Sequence, residues 1–330
     1  MPKIVRFHQI GGPEVLQFDE LPAPKPRTGE VLLRVEAIGL NRAEVMFRQG
    51  RYLEQPELPS SLGYEAAGVI EEVGPEVQGL QVGDRVSSIP SFSMRKYTTY
   101  GEVALLPAHA LARYPGNLSP VEGTSIWMQY ITAYGLIEFG PMQGGDYVLI
   151  TAAASSVGLA AIQMANAVGA VPIATTRNSA KEAALRDVGA GHVINTANEK
   201  WPEQIREISS GKGVDLVFDP VAGPELERVA QVVRPEGTIF IYGRLSPEPT
   251  LFPFSALRSN LILRGYTLFS ITTHPDRLQR AKQWVYDHLS AKQIHPIVAR
   301  TFSFSEIVEA HRFMESNEQI GKIVVTVGPS

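Results

Sequence analysis

The sequence predicts an α/β chain in two parts: a small β-rich, barrel-like domain and a doubly wound parallel sheet. Three observations carry this. Short β-branched or alternating runs separated by Gly/Pro turns fill residues 1–110. From about Pro120 the pattern changes to apolar strands alternating with helix-forming segments. Near the start of that alternation, Tyr147–Thr151 reads as a strand, 152–158 as a turn of small residues, and 159–168 as an Ala-rich helix.

In chain order, the expected strands of the first part are Ile4–Phe7, Val15–Asp19, Glu30–Ile38, Gly68–Val73 and Arg85–Ser88. Turn clusters Gly11-Gly12-Pro13, Pro22–Pro26, Gly74-Pro75 and Gly83-Asp84 separate them. One helix is expected over Val121–Phe139. Beyond the Tyr147 strand come strands at Ala170–Ala174, His192–Asn195, Asp215–Phe218 and Thr238–Tyr242, with Leu261–Arg264 as a last strand. Helices at Ser179–Val188, Pro202–Ser209 and Pro224–Val233 lie between them, which implies a parallel sheet covered on both faces. The remaining elements do not extend the alternation. They are a helix Pro275–Leu289 with Leu278, Trp284, Val285 and Leu289 inward, a segment Pro296–Phe302, a helix Phe304–Met314 and a strand Lys322–Val327. They are assigned back to the first domain, which becomes discontinuous: residues 1–122 with 268–330, around a second domain at 123–267.

The turn at 152–158 is the opening of a dinucleotide-binding unit. Small residues let the backbone approach a pyrophosphate, and the helix start offers free N–H groups and a positive dipole end. Ala153, Ser155 and Gly158 stand at the three positions of the usual G-x-G-x-x-G, a partial match. Ala154, Ser155, Ser156, Val157 and Gly158 are the expected phosphate contacts. Val221 and Gly223, after Asp219, and Gly243, after Tyr242, close successive parallel strands, where ligands of such sheets bind.

Composition narrows the function. The chain has 330 residues, a formal net charge of −4 and no long basic run, which argues against general binding to nucleic acid or anionic membranes. It contains no cysteine, so disulfides, thiolate chemistry and every Cys-based metal site are excluded, and a cytoplasmic location fits. No apolar run approaches the roughly 20 residues of a membrane span.

Seven local patterns then occur in register: Gly39-Leu40-Asn41-Arg42-Ala43-Glu44, Gly50-Arg51-Tyr52, Leu62-Gly63-Tyr64-Glu65-Ala66-Ala67-Gly68, Val82-Gly83-Asp84-Arg85-Val86, Thr132-Ala133-Tyr134, the 152–158 turn and Gly321-Lys322-Ile323-Val324-Val325. Together they resemble the medium-chain dehydrogenase/reductases over essentially the whole chain, in the zinc-free quinone oxidoreductase (zeta-crystallin-like) branch. The resemblance implies a GroES-like catalytic domain at 1–122 and 268–330, a Rossmann domain at 123–267, a cleft between them, hydride transfer from a nicotinamide cofactor, and commonly a homodimer.

Zinc-bearing members of the family place a Cys after the Gly of the first pattern and a His in Gly-His-Glu. Here those positions are Leu40 and Tyr64, and Glu65 alone cannot fill a tetrahedral N/S site. The seven histidines show no ligand spacing, and His109, His192 and His311 are read as structural or surface residues. No metal is expected. Without a Lewis acid, simple alcohol oxidation gives way to reduction of an activated acceptor, a quinone or an α,β-unsaturated carbonyl.

The cofactor is expected to be NADPH. The second strand of the unit ends Ala174-Thr175-Thr176-Arg177, with no acidic residue for a ribose 2′-OH. Thr175 and Thr176 offer hydroxyls, and Arg177 and Lys181 offer charge, to a 2′-phosphate. A solvated loop with two ordinary basic residues is the bland alternative. Thr196 stands where relatives carry a phosphate-binding Tyr. By resemblance, Thr132 would touch the nicotinamide ribose side and Phe269 the carboxamide. Tyr52 lies where enoyl thioester reductases of the superfamily place their catalytic tyrosine; otherwise it packs in its loop. Asn41 would orient the cofactor or that tyrosine. Tyr64 and Met46 would line the substrate pocket, Met46 standing where many quinone reductases carry Tyr. Arg42 and Arg48 could meet an anionic substrate, although solvated arginines are commoner. Two rival readings are a 2-enoyl thioester reductase and, from another class, a non-catalytic NADPH-binding protein.

Overall fold

The computed structural model describes residues 1–328. The chain divides into two compact units, Met1–Met128 joined by the segment from Pro296 onward, and Gln129–His295.

In the first unit a sheet runs in the order Val298–Ser303, Lys322–Thr326, Glu30–Leu40, Glu65–Val73, Arg85–Ser88, Leu111–Arg113. Val103–Pro107 pairs with the near end of Glu30–Leu40, and all of these pairings are antiparallel except Val298–Ser303 with Lys322–Thr326. The central strand is 11 residues long and almost wholly buried. The C-terminal strand returns to it, with Ile323 opposite Leu40 and Val324 opposite Gly39. This pairing makes the unit discontinuous. The strands Val103–Pro107 and Leu111–Arg113 were not expected from the sequence, because Pro107 and the Ala-rich stretch between them break the β-branched pattern. A helix at Arg42–Arg48 was likewise unexpected. Its seven residues are too few for a helical period to emerge, but a capping box of Asn41 and Glu44 starts it.

The second unit holds six parallel strands: Tyr147–Ile150, Val171–Thr176, His192–Asn195, Val214–Asp219, Val233–Ile241 and Ile262–Gly265. Their spatial order is third, second, first, fourth, fifth, sixth. That is the doubly wound Rossmann order, whose reversal point lies between the first and fourth strands. Leu149, Ile173, Val217 and Ile239 supply one core face and pack under Trp201, Ile205, Leu226 and Val229.

Several sequence boundaries move. The helix expected over Val121–Phe139 is three short ones, Pro120–Gly123, Trp127–Ala133 and Gly135–Glu138. At Gly135 the backbone runs under the Tyr266 ring, where a Cβ would lie 2.5 Å from the Cζ atom. The Ser179–Val188 helix begins as a 3-10 turn, with α-helix only at Glu182–Asp187, and the Pro224–Val233 helix shrinks to Leu226–Ala230 after a 3-10 turn. The expected domain boundary at 267/268 also differs from the division at 295/296. The helix Pro275–Ser290 packs within the second unit: Arg280 bonds Glu138, and Trp284 lies against Tyr134 at 6.3 Å. Its buried residues are Ala281 and Val285, whereas Leu278, Trp284 and Leu289 are half-buried. The last two residues of the expected first domain lie outside the described residues. No helix among the described residues is long and apolar enough to cross a membrane.

Candidate functional site

In the first unit, four polar side chains meet in the interior. Lys322 and Glu65 form an ion pair with side chains 0% and 1% exposed. Lys322 Nζ also donates to Asn41 Oδ1 at 2.6 Å. Asn41 Nδ2 is shared among Gly39 O (3.2 Å), Glu44 Oε1 (3.1 Å) and Glu65 Oε2 (3.3 Å). Glu65 Oε1 accepts from Met128 N at 2.8 Å. Glu44 accepts from the backbone of Asn41 and from Tyr64 N at 3.1 Å. Burial pushes the Glu44 carboxyl up to about 7, against the pull of Lys322 and these N–H donors. A charge sealed from water is tolerable only when it is paired and hydrogen-bonded, and this cluster meets that condition across three segments distant in sequence. The cluster fixes the segment 64–65 against the start of helix Arg42–Arg48.

Tyr64 follows directly from that anchor. Its ring is buried, lies 6.3 Å edge-on from the ring of Tyr52, and tilts against Phe92 at 5.6 Å. Burial pushes the Tyr52 phenol up to about 12; the hydrogen bond with Tyr64 works the other way, and Glu44 and Glu54 add to the rise. Tyr64 is raised further, again first by burial, and the Tyr52 hydrogen bond raises it. The Tyr52 hydroxyl is protonated at neutral pH, and a phenol can both donate and accept. Met46 sits half-buried on helix Arg42–Arg48, its carbonyl accepting from Arg51 N at 2.8 Å.

The structure brings the Tyr52 and Tyr64 rings together and gives the Asn41 side chain partners of its own. Its amide, expected to orient a cofactor or the tyrosine, is committed to Gly39, Glu44, Glu65 and Lys322. Arg42 and Arg48, weighed as substrate contacts or solvated residues, both bond to the C-terminal part of the chain. Arg42 donates to Met314 O and Asn317 Oδ1. Arg48 is fully buried, pairs with Glu315, and donates to Gly11 O (3.1 Å) and His311 Nδ1 (2.8 Å). His311 is also sealed in and contacts Tyr100 Oη at 3.2 Å; burial and the neighbouring guanidinium hold it neutral. Glu44, Glu65 and Lys322 stand within the sequence patterns, but the sequence alone assigns them no partner. For Glu65 and Lys322 the signal in the sequence is a charge at the start of an otherwise apolar strand pattern, as in Gly321-Lys322-Ile323; Glu44 lies in the short helix Arg42–Arg48 and carries no such signal.

In the second unit, Ser155 caps the helix Ser156–Ala167, its hydroxyl accepting from Gly158 N at 3.1 Å. The first intrahelical bond is Leu159 N to Ser155 O, so the amides of Ser156 and Val157 open the helix ahead of it. At Gly158 a Cβ would stand 2.6 Å from Ala153 Cα, so only glycine lets the helix start this close to the turn. Asp219, on the fourth strand, accepts from Thr151 Oγ1, Val221 N (3.1 Å) and Ala222 N (2.8 Å), tying the ends of the first and fourth strands. Gly243 lies against Pro220, and Tyr242 stacks on Phe218 at 4.0 Å. The buried Tyr242 hydroxyl lies beside Ser155 but makes no well-formed hydrogen bond among the described residues. An open helix start, a glycine cradle and an orphaned hydroxyl fit a bound pyrophosphate. Thr175 and Thr176 are buried at the end of the second strand, Arg177 is exposed just beyond, and Lys181 is half-buried in the following turn. Thr132 is buried in helix Trp127–Ala133, Ala154 lies in the turn, and Phe269 begins a short helix to Thr272.

Comparison with known proteins bears on the family and the fold. The family described as alcohol dehydrogenase GroES-like domain matches residues 27–124, and the one described as zinc-binding dehydrogenase matches 156–285. A 2-haloacrylate reductase from a Burkholderia species is 32% identical over 328 residues, covering 97% of both chains. The chain belongs to the medium-chain dehydrogenase/reductase superfamily. A quinone oxidoreductase of Pseudomonas aeruginosa is 30% identical over 98% of this chain and 99% of its own. The crystal structure of Escherichia coli quinone oxidoreductase complexed with NADPH superposes with a TM-score of 0.90 at 29% identity, covering 98% of this chain and all of that one. At the family's catalytic-metal positions this member carries Leu40 and Tyr64, and Glu65 beside them is occupied by Lys322, Asn41 and Met128 N.

Proposed function

We propose that this protein is an NADPH-dependent oxidoreductase that reduces quinones or α,β-unsaturated carbonyl compounds without a metal. The observation that carries the chemistry is the phenol pair: Tyr52 is held protonated, oriented by Tyr64, where the family otherwise places a metal ligand. Bound at the 152–158 turn, a reduced nicotinamide dinucleotide supplies the hydride. Ala154, Ser155, Ser156, Val157 and Gly158 would receive its pyrophosphate, and Thr175, Thr176, Arg177 and Lys181 its 2′-phosphate. Val221, Gly243, Thr132 and Phe269 would line the rest of its path. As the acceptor is reduced, negative charge builds on its carbonyl or quinone oxygen, and the Tyr52 O–H hydrogen-bonds that oxygen and delivers the proton. Asn41 acts at one remove, holding Glu44 and Glu65 so that Tyr64 stays in place, while Met46 and Tyr64 wall the acceptor. The relatives named for quinones and for 2-haloacrylate support both acceptor classes, each joining a conjugated double bond to an oxygen that takes up charge.

Replacing Tyr52 by Phe tests this. Turnover with the best acceptor should fall about 100-fold while the NADPH dissociation constant stays near normal. An unchanged rate would reduce Tyr52 to packing. Tyr52 also favours one other reading, a 2-enoyl thioester reductase, and steady-state rates with a quinone, an enone and an enoyl thioester separate the two.

The protein works as a homodimer in the cytoplasm, a compartment that suits a chain without thiols. The dimer is supported by the sheet's edge strand Ile262–Gly265, which exposes Ile262, and by the preceding segment, where Leu251, Phe252, Phe254 and Leu257 are each more than 60% exposed. Unpaired strand edges and exposed apolar patches of this kind call for a covering partner. Sedimentation should give a dimer for the wild type and a monomer for Phe254→Asp combined with Ile262→Lys. A monomeric wild type would refute the assembly.

A further inference from the structure

The loop that carries Tyr52 has no regular structure between Gly50 and Pro59, yet it is fastened at two points to a single turn. Glu54 supplies the inner fastening. One of its carboxylate oxygens accepts from Met94 N at 2.8 Å, and the other from the Ser93 hydroxyl. Glu57 supplies the outer one, an exposed ion pair with Arg95. The receiving turn is itself well ordered. Ser93 O accepts from Lys96 N (3.1 Å) and Tyr97 N (3.0 Å), and Ser93 Oγ accepts from Arg95 N (3.1 Å). The same turn places Phe92 against Tyr64 and Tyr97, at 5.6 and 6.0 Å, and Met94 Sδ accepts from Gly63 N at 3.4 Å. The turn at 92–97 therefore touches both sides of the phenol pair, gripping the Tyr52 loop through Glu54 and backing Tyr64 through Phe92 and Gly63.

We propose that Glu54 is a positioning residue for Tyr52, a two-armed strap that locks the 50–59 loop onto the turn holding Tyr64 and so fixes the Tyr52 hydroxyl where it acts. This rests on the catalytic reading of Tyr52. A carboxylate bridging a backbone N–H and a hydroxyl defines position and orientation together, whereas the exposed Glu57–Arg95 pair is screened by water and contributes little. The strap is needed because the phenol sits on irregular backbone, which by itself would not hold a hydroxyl to within a fraction of an ångström.

The test is a cycle of variants read by kcat, NADPH affinity and amide exchange. Glu54→Ala should lower kcat roughly ten- to a hundredfold, the range a small misplacement costs, with NADPH affinity near that of the wild type. Glu54→Gln can still accept from Met94 N and donate to Ser93 Oγ, so it should recover most of the loss; Ser93→Ala, losing one arm, should fall between. In a Tyr52→Phe background, Glu54→Ala should cost nothing further, because the strap acts only through that phenol. Amide exchange over 51–58 should quicken in Glu54→Ala alone. Full additivity of the two substitutions, or wild-type turnover in Glu54→Ala, overturns the proposal. Wild-type turnover in Tyr52→Phe removes the catalytic reading and this inference with it; faster exchange in Glu54→Ala would then mark the strap as purely structural. If Glu54→Ala fails to fold, Glu54→Gln and Ser93→Ala carry the same cycle.

Discussion

The two units carry their candidate sites by opposite means. The dinucleotide turn of the second unit is local: residues 151–158 follow one another, Ser155 caps its own helix, and Gly158 is required by a contact five residues away. The phenol site of the first unit is assembled from Asn41, Glu44, Glu65 and Lys322, the last 281 residues from the first along the chain. A local site tolerates change in its surroundings because its backbone geometry is self-contained. A site held by a buried network fails as a unit, because removing one member strands the charges of the others.

The sharpest way to break the comparison is Lys322→Met. It leaves Glu65 buried and unpaired with Asn41 Oδ1 unsatisfied, and should destabilise the first unit by about 3–5 kcal/mol in urea unfolding. If the loss were below about 1 kcal/mol, the network would be no more than a surface-like pair and the contrast would collapse.

A smaller effect is expected at the edge of the local site. Arg177→Ala should weaken NADPH binding about tenfold, as loss of one charge-assisted contact implies, and leave NADH binding nearly unchanged. Equal losses for both nucleotides would remove the 2′-phosphate assignment. Fluorescence titration of the two reduced cofactors decides it.

This division also explains what was legible in the sequence. Strand Tyr147–Ile150, the turn and the following helix could be read because each is set by neighbours a few residues away. The six-strand alternation followed from the same kind of periodicity, as did Leu261–Arg264, found as Ile262–Gly265 on the sheet edge. The motif patterns located Tyr52 and Tyr64 but not what holds them. Nothing near Lys322 in the chain tells that its ammonium is sealed against Glu65, or that Glu54 reaches Met94 N, since both depend on strand register and loop packing that form only in three dimensions. Arg48 was misread for the same reason. A helix of seven residues shows no period, so its buried face, and the partners His311 and Glu315 brought by the C-terminal helix, could not be anticipated.

The smallest effect is the most diagnostic of local construction. Ser155→Ala removes the hydroxyl that accepts from Gly158 N and should cost about 1 kcal/mol of stability, the usual value of a lost cap. Because Ser155 also faces the expected pyrophosphate, common to both nucleotides, NADPH and NADH affinities should fall by the same factor, in contrast to Arg177→Ala. Urea unfolding reads the first effect and paired cofactor titrations the second. Turnover at saturating NADPH should stay close to wild type, because the turn positions the cofactor without touching the acceptor oxygen. A loss of kcat at saturation would mean that the helix start communicates with the phenol site, and the two sites would not be independent.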